Sequence, residues 1–241
     1  MADPYSLYLD HEKLCTTIDR LCLRIHGRFP QSSLLQVCRD LHEICRNAEQ
    51  DIVAISKPNW LLRGGVLAFV VAVVVTMGFA FVYSLSALQI DTSGSNVFDF
   101  IQTVEAGLNG IFLAGAALLV LISLENRMKR HRVIQAINRL RGIAHVVDMH
   151  QLTKDPAIIH RGGAPTAHSP DRALNQFELS RYLDYCAEMM SLVGKVGYLY
   201  VQNYHDPEAT NAVNDLEDLT TGLARKVWQK IMLLDSPTHG H

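Results

Sequence analysis

The sequence predicts an all-α integral membrane protein, with two transmembrane helices joined to a cytoplasmic helical bundle. Three observations predict it. Nearly half of the 241 residues are apolar (49%) and only 19% are charged, against about 25% in an average soluble domain. The apolar excess is gathered into two uninterrupted runs. Outside those runs, apolar residues recur at three- and four-residue intervals, the period of a helix face, and no convincing strand alternation is present. A mean hydropathy of +0.09 and a net charge of −2 exclude a disordered chain and a generally basic nucleic-acid binder. The length is that of one or two domains.

The first run, residues 64–88, carries no charge over twenty-five positions. A helix rises 1.5 Å per residue, so about 20 residues cross a hydrocarbon core of roughly 30 Å. The second run, residues 106–124, has nineteen uncharged residues and just suffices. The first run begins some sixty residues into the chain, unlike a cleaved signal peptide. Lys and Arg flank both runs on their outer sides (Arg46, Lys57 and Arg63 before, Arg127, Lys129, Arg130 and Arg132 after). The connector, residues 89–105, holds only the acidic Asp91, Asp99 and Glu105. The positive-inside rule then places both termini in the cytoplasm. Trp60 and Arg63 suit an interfacial anchor and a snorkelling cation. Residues 97–104 are apolar enough to begin the second helix before the span.

Both spans carry small residues at four-residue spacing. In the first these are Gly64, Ala68, Ala72, Thr76, Ala80 and Ser84; in the second, Ala106, Gly110 and Ala114. Small residues let helix backbones approach closely in lipid, where apolar burial supplies no driving force. Two arrangements follow: both rows pack within the subunit, or one packs within it and the other between subunits. The polar residues of the spans are Thr76, Ser84 and Asn109, with no ionisable side chain. That argues against a proton-coupled transporter, and two spans alone form no inverted repeat. A pore would need several subunits and would be lined by such residues as Asn109 and Thr76.

Three segments result: a cytoplasmic N-terminal hairpin over 1–57, the two-span region over 58–125, and a stalk helix with a C-terminal hairpin over 126–241. In the first, Leu14, Ile18, Leu21, Leu23 and Ile25 form one helix face. A turn around Pro30 follows, with Ser32 or Ser33 as the next N-cap, and then Leu34, Val37, Leu41, Ile44 and Ala48. In the last, Val133, Ile137, Leu140, Ala144 and Val147 mark the stalk, and residues 153–170 form a long loop. Ser169-Pro170 and Asp206-Pro207 resemble an N-cap followed by proline at the first helical position. Tyr182, Cys186, Met189, Val193, Val196 and Tyr200 face Leu216, Leu219, Leu223, Val227 and Leu234 in a coiled-coil-like seam. About five helices then make one bundle.

Candidate chemistry is sparse. Cys15 and Cys22, and Cys38 and Cys45, are pairs seven residues apart. A cytoplasmic setting disfavours disulfides. Cys22, His26, Cys38 and His42 could meet near the hairpin turn as a Cys2His2 zinc site, although core packing is the commoner use of such cysteines. Arg20 and His26 fit the spacing of helical ribonucleases, as do Arg161 and His168, with His as acid–base and Arg on phosphate. His145 and Asp148 share a helix face with His131 nearby. The basic run 127–132 is a stop-transfer signal that also suits anionic headgroups. Arg225, Lys226 and Lys230 suit a helix C-terminal half, with Trp228 as an anchor. No phosphate-binding loop, nucleophile elbow or zincin motif is present, so no catalytic residue, cofactor or nucleic-acid partner is expected.

Residues 145–155 (HVVDMHQLTKD), 178–200 (ELSRYLDYCAEMMSLVGKVGYLY) and 224–231 (ARKVWQKI) resemble a family of bacterial two-span membrane proteins. The resemblance covers mainly the C-terminal half. It implies a bacterial inner membrane and brings no activity with it. The layout also resembles two-span effectors of bacterial defence systems, as an analogy of architecture only. The function expected from all this is a homo-oligomeric inner-membrane protein, an ion-conducting channel or pore gated by its cytoplasmic bundle. The alternatives are a non-conducting scaffold or signal transducer, and a membrane-tethered metal-binding module or helical ribonuclease. The lipid bilayer, other copies of the chain, and a cytoplasmic protein or small-molecule regulator are the expected partners.

Overall fold

The structure is a computed structural model that describes residues 8–57, 60–88, 96–154, 156 and 174–235. These residues form six helices and no strand: α1 (His11–Arg28), α2 (Ser33–Ser56), α3 (Trp60–Leu88), α4 (Asn96–Leu152), α5 (Gln176–Val201) and α6 (Pro207–Asp235). The chain divides into two compact units, Met1–Ser56 with Arg130–His241, and Lys57–Lys129. The N-terminal hairpin and the C-terminal segment, distinct in sequence, therefore share one unit.

The first unit is the five-helix bundle. Asp10 caps α1 by accepting from the Lys13 N–H at 3.1 Å, and Glu12 in the first turn with His26 and Arg28 in the last suit the helix dipole. Leu14, Ile18, Leu21 and Ile25 step by four, three and four residues and are buried. Leu23, expected on that face, is 63% exposed, because a two-residue step from Leu21 turns about 200° around a helix. The Ser32 hydroxyl accepts from the Leu34 N–H at 3.1 Å and starts α2. Its buried face holds Leu34, Val37, Cys38, Leu41, Cys45 and Ala48, while Ile44 is only partly covered.

Helix α5 begins on a capping box. The Asn175 side chain accepts from the Glu178 N–H at 2.8 Å, and the Glu178 carboxylate accepts from the Asn175 N–H at 2.9 Å. The start expected at Ser169-Pro170 lies outside the described residues. Asp206 caps α6 as expected, accepting from the Ala209 N–H at 2.9 Å. Helices α5 and α6 share the most extensive contact, and α1 and α2 both pack on α5. A Cβ at Gly197 would lie 2.7 Å from Leu216 Cδ2 and under 4 Å from methyls of Ile137 and Leu140. That glycine is where α5 meets both α6 and the later half of α4. There Val133, Ala136, Ile137, Leu140, Ala144 and Val147 are buried.

Polar ties close the bundle. The Gln202 amide pairs with the Leu9 backbone, its oxygen 2.9 Å from the Leu9 N–H. Lys230 Nζ donates to the Gln151 carbonyl at 2.8 Å, and Arg24 pairs with Glu188. Arg130 grips Asp206 at 2.9 Å and Glu208 at 2.6 Å. Buried Tyr200 donates to the Asp51 carboxylate at 3.2 Å, and Arg139 approaches the same oxygen at 3.4 Å.

The second unit holds α3 and the first part of α4, both long and apolar enough to cross a membrane. Helix α4 already begins at Asn96, ahead of its apolar run, and continues unbroken to Leu152.

Candidate functional site

In the apolar two-helix unit the helices meet along a row that the spacing of small residues picks out on α4 but not on α3. Val66, Val70, Val73 and Met77 of α3 are its partly covered positions. On α4 these are Gly107, Gly110, Ala114, Ala117, Leu118 and Leu121. The Met77 thioether lies over the two glycines, with Sδ 3.6 Å from where a Gly110 Cβ would stand. Thioethers fill irregular gaps of this kind. Two open apolar clefts of about 370 and 320 Å³ flank the contact, the first bordered by Arg63 and Glu125. Arg63 and Lys129 both pair with Glu125, at 3.5 and 2.9 Å.

The two small-residue rows therefore have different fates. Gly110 and Ala114 lie on the side of α4 that meets α3, whereas Ala106 is exposed. Ala68, Ala72, Thr76 and Ala80 are all exposed on α3. Ser84 continues that row within α3, and its side chain is not among those described. The Thr76 hydroxyl donates within its own helix and lies 2.9 Å from both the Ala72 and Val73 carbonyls. Asn109 is exposed beside Gly110.

In the bundle the four cysteines of the hairpin fall into two cross-helix pairs. Cys15 and Cys45 stand fifteen residues either side of Pro30, and Cys22 and Cys38 stand eight either side. An antiparallel hairpin turning at Pro30 must bring each pair together. Cys15 and Cys45 form a disulfide, with Cα atoms 5.8 Å apart. This corrects the expectation of free thiols: the compartment argument concerned surroundings, whereas the pairing follows from hairpin register. Buried Cys22 and Cys38 face each other as thiols. The hydrogen bond shared with Cys22, reinforced by burial, pushes the Cys38 thiol well above its ordinary range.

The same register explains why Cys22, His26, Cys38 and His42 do not converge. His26 falls opposite Leu34 and His42 opposite Ile18, and His26 is exposed. Among the described residues the group of side chains that could hold a metal ion lies at the other end of the hairpin. Potential ligand atoms of His11, Cys15 and Cys45 all fall within 4.8 Å of one another. Sequence reading missed His11, although its place four residues before Cys15 was a usable signal. His11 Nε2 donates to the Cys45 carbonyl at 2.7 Å and lies 3.5 Å from Cys15 Sγ. Its Nδ1 lies 3.7 Å from the Glu49 carboxylate.

The remaining motifs gather little. Arg20 and His26 both lie on the exposed side of α1, and Arg161 and His168 fall outside the described residues. Asp148 accepts from Gln151 at 2.6 Å. His145 is exposed, and His131 pairs with Gln135 at 2.9 Å. Trp228 is exposed on α6. Comparison with protein-family models, curated proteins and solved structures gives no match for this chain.

Proposed function

We propose that this chain is a two-span protein of a bacterial inner membrane. Both ends face the cytoplasm, and the chain assembles with copies of itself into a pore gated by the helical bundle. The observation that carries this reading is the bare surface of the apolar unit. None of either apolar window is buried, and Phe79 and Phe112 are 75% and 77% exposed. Water tolerates no continuous apolar surface along two helices of this length, so lipid or other copies must cover it. A core helix of a soluble protein would be buried instead.

Assembly is favoured by the outward row Ala68, Ala72, Thr76 and Ala80. It is the close-approach surface that the α3–α4 contact leaves unused. The exposed Asn109 amide adds to this, since a carboxamide in hydrocarbon seeks a partner across a helix interface or in a wet lumen. Gating is supported by α4, whose one unbroken helix carries both the apolar run and the buried bundle residues Val133 to Val147. A specific observation favours a second reading, a non-conducting scaffold or transducer. The Thr76 hydroxyl is satisfied by its own helix, which leaves Asn109 as the polar group best placed to line a lumen.

Mass photometry of detergent-purified protein, followed by bilayer recordings, separates these readings. Discrete oligomers with unitary conductance are expected. Oligomers without conductance would favour the scaffold, and monomers alone would overturn the pore. Labelling of residues 91–96 from the cytoplasmic side would overturn the topology.

A further inference from the structure

The geometry points to a second, chemically distinct site: in its reduced form, the trio of His11, Cys15 and Cys45 binds one divalent ion of the zinc class. Two thiolates and an imidazole form the borderline-soft donor set that zinc prefers. In a tetrahedral site with Zn–S near 2.3 Å and Zn–N near 2.0 Å, the S···N edge is about 3.6 Å. His11 Nε2 already stands 3.5 Å from Cys15 Sγ. The Cα separation of 5.8 Å between Cys15 and Cys45 lets both sulfurs reach one ion once they are no longer bonded to each other.

The far side of the ring is prepared as well. With Nε2 on the metal, Nδ1 carries the ring proton and turns it toward Glu49, whose carboxylate is 3.7 Å away. A carboxylate behind a ligating histidine fixes its tautomer and raises its basicity. Nε2 exchanges its hydrogen bond to the Cys45 carbonyl for the metal bond, and a water completes the fourth position.

The disulfide and metal forms exclude each other. A dithiol reductant supplies two electrons and two protons to the Cys15–Cys45 bond, giving two thiols and itself becoming a disulfide. Metal binding then displaces both thiol protons to solvent. A reducing cytoplasm, as in the topology proposed above, favours the metal-competent form. The binding test runs under added reductant and so stands apart from that topology.

The test is native mass spectrometry of the full chain in detergent, stripped with a chelator and reduced with a water-soluble phosphine. The phosphine ends as its oxide, with water supplying the oxygen and both thiol protons. Zinc alone is then added at micromolar concentration. One adduct about 63 Da heavier per chain is expected, zinc less two protons. His11→Gln and the double change Cys15→Ser with Cys45→Ser should each lose it. Glu49→Gln should weaken binding about 10–100-fold, and Cys22→Ser with Cys38→Ser should keep it. Protein reoxidised with a small-molecule disulfide should be about 2 Da lighter than the reduced chain and bind none. His11 is partly exposed, so His11→Gln keeps the test decisive if the buried cysteine variants fail to fold. The proposal is overturned if reduced wild-type protein takes up no zinc. It is equally overturned if His11→Gln binds as wild type, or if the Cys22 and Cys38 variants abolish uptake.

Discussion

At the residue scale, Leu21 and Leu23 show how finely a helix sorts its side chains. Leu21 is fully buried and Leu23 is 63% exposed. Leu21→Ala should lower bundle stability by about 2–4 kcal/mol, the cost of a buried leucine truncation. Leu23→Ala should stay within about 0.5 kcal/mol; chemical denaturation followed by circular dichroism checks both. Asp206 supplies a pH-dependent term. Burial raises its pKa, but the Ala209 N–H and the Arg130 guanidinium outweigh that and hold the carboxyl below its ordinary value of 3.8. A lowered native pKa stabilises the fold above the unfolded value and loses that stabilisation as pH falls through the native one. Asp206→Asn keeps a side-chain acceptor for the N-cap but gives up the charge that pairs with Arg130, so it should cost no more than about 1 kcal/mol at neutral pH. It should also flatten the fall in melting temperature below about pH 4. The aspartate-proline pair was legible as a cap in the sequence. Its partner Arg130 was not, because nothing local links positions 76 residues apart.

At the element scale, the helices and most of their buried faces could be read from three- and four-residue spacing alone. The two hairpins likewise followed from their turns. What escaped was register between helices. The cysteines stood in plain view, yet only their symmetry about Pro30 decides which pairs meet. That symmetry separates His26 and His42 from the thiols and leaves His11 beside Cys15. The start of α5 was sought at a proline, whereas Asn175 and Glu178 carry the three-residue spacing of a capping box. Close approach was equally invisible without the fold. Gly194 and Gly197 line the α5–α6 seam, but Gly222 faces open space. Gly197→Ala sets its methyl against the fully buried Leu216. It should destabilise the bundle, because an overpacking cost of about 1–3 kcal/mol exceeds the better helix propensity of alanine. Gly222→Ala meets nothing and should stabilise by about 0.5–1 kcal/mol. Opposite shifts in thermal unfolding are the expected result.

At the scale of the whole molecule, the small-residue rows and the two ways they could pack were visible in the sequence, but which row meets the neighbouring helix was not. Composition says which residues permit contact, while only the α3–α4 pairing says which contacts are already taken. On the proposed assembly, Ala72→Leu or Thr76→Leu should hold subunits apart. Such variants should lose oligomer in detergent while remaining inserted and folded. Val71→Leu and Val75→Leu should leave the oligomer intact; equal tolerance at all four positions would remove the role given to that row. The bundle itself is discontinuous in sequence, since residues 57–129 intervene between its parts. Space here becomes order in time. A ribosome delivers α1 and α2 first, yet both pack against α5, which is made only after the whole apolar unit. For more than a hundred residues of synthesis, the N-terminal hairpin therefore waits with part of its apolar surface uncovered. Nascent chains arrested before residue 176 should expose that hairpin to protease, and chains extended past residue 235 should protect it. The intervening unit is thus a delay written into the gene, and the bundle closes only behind a completed passage of the chain.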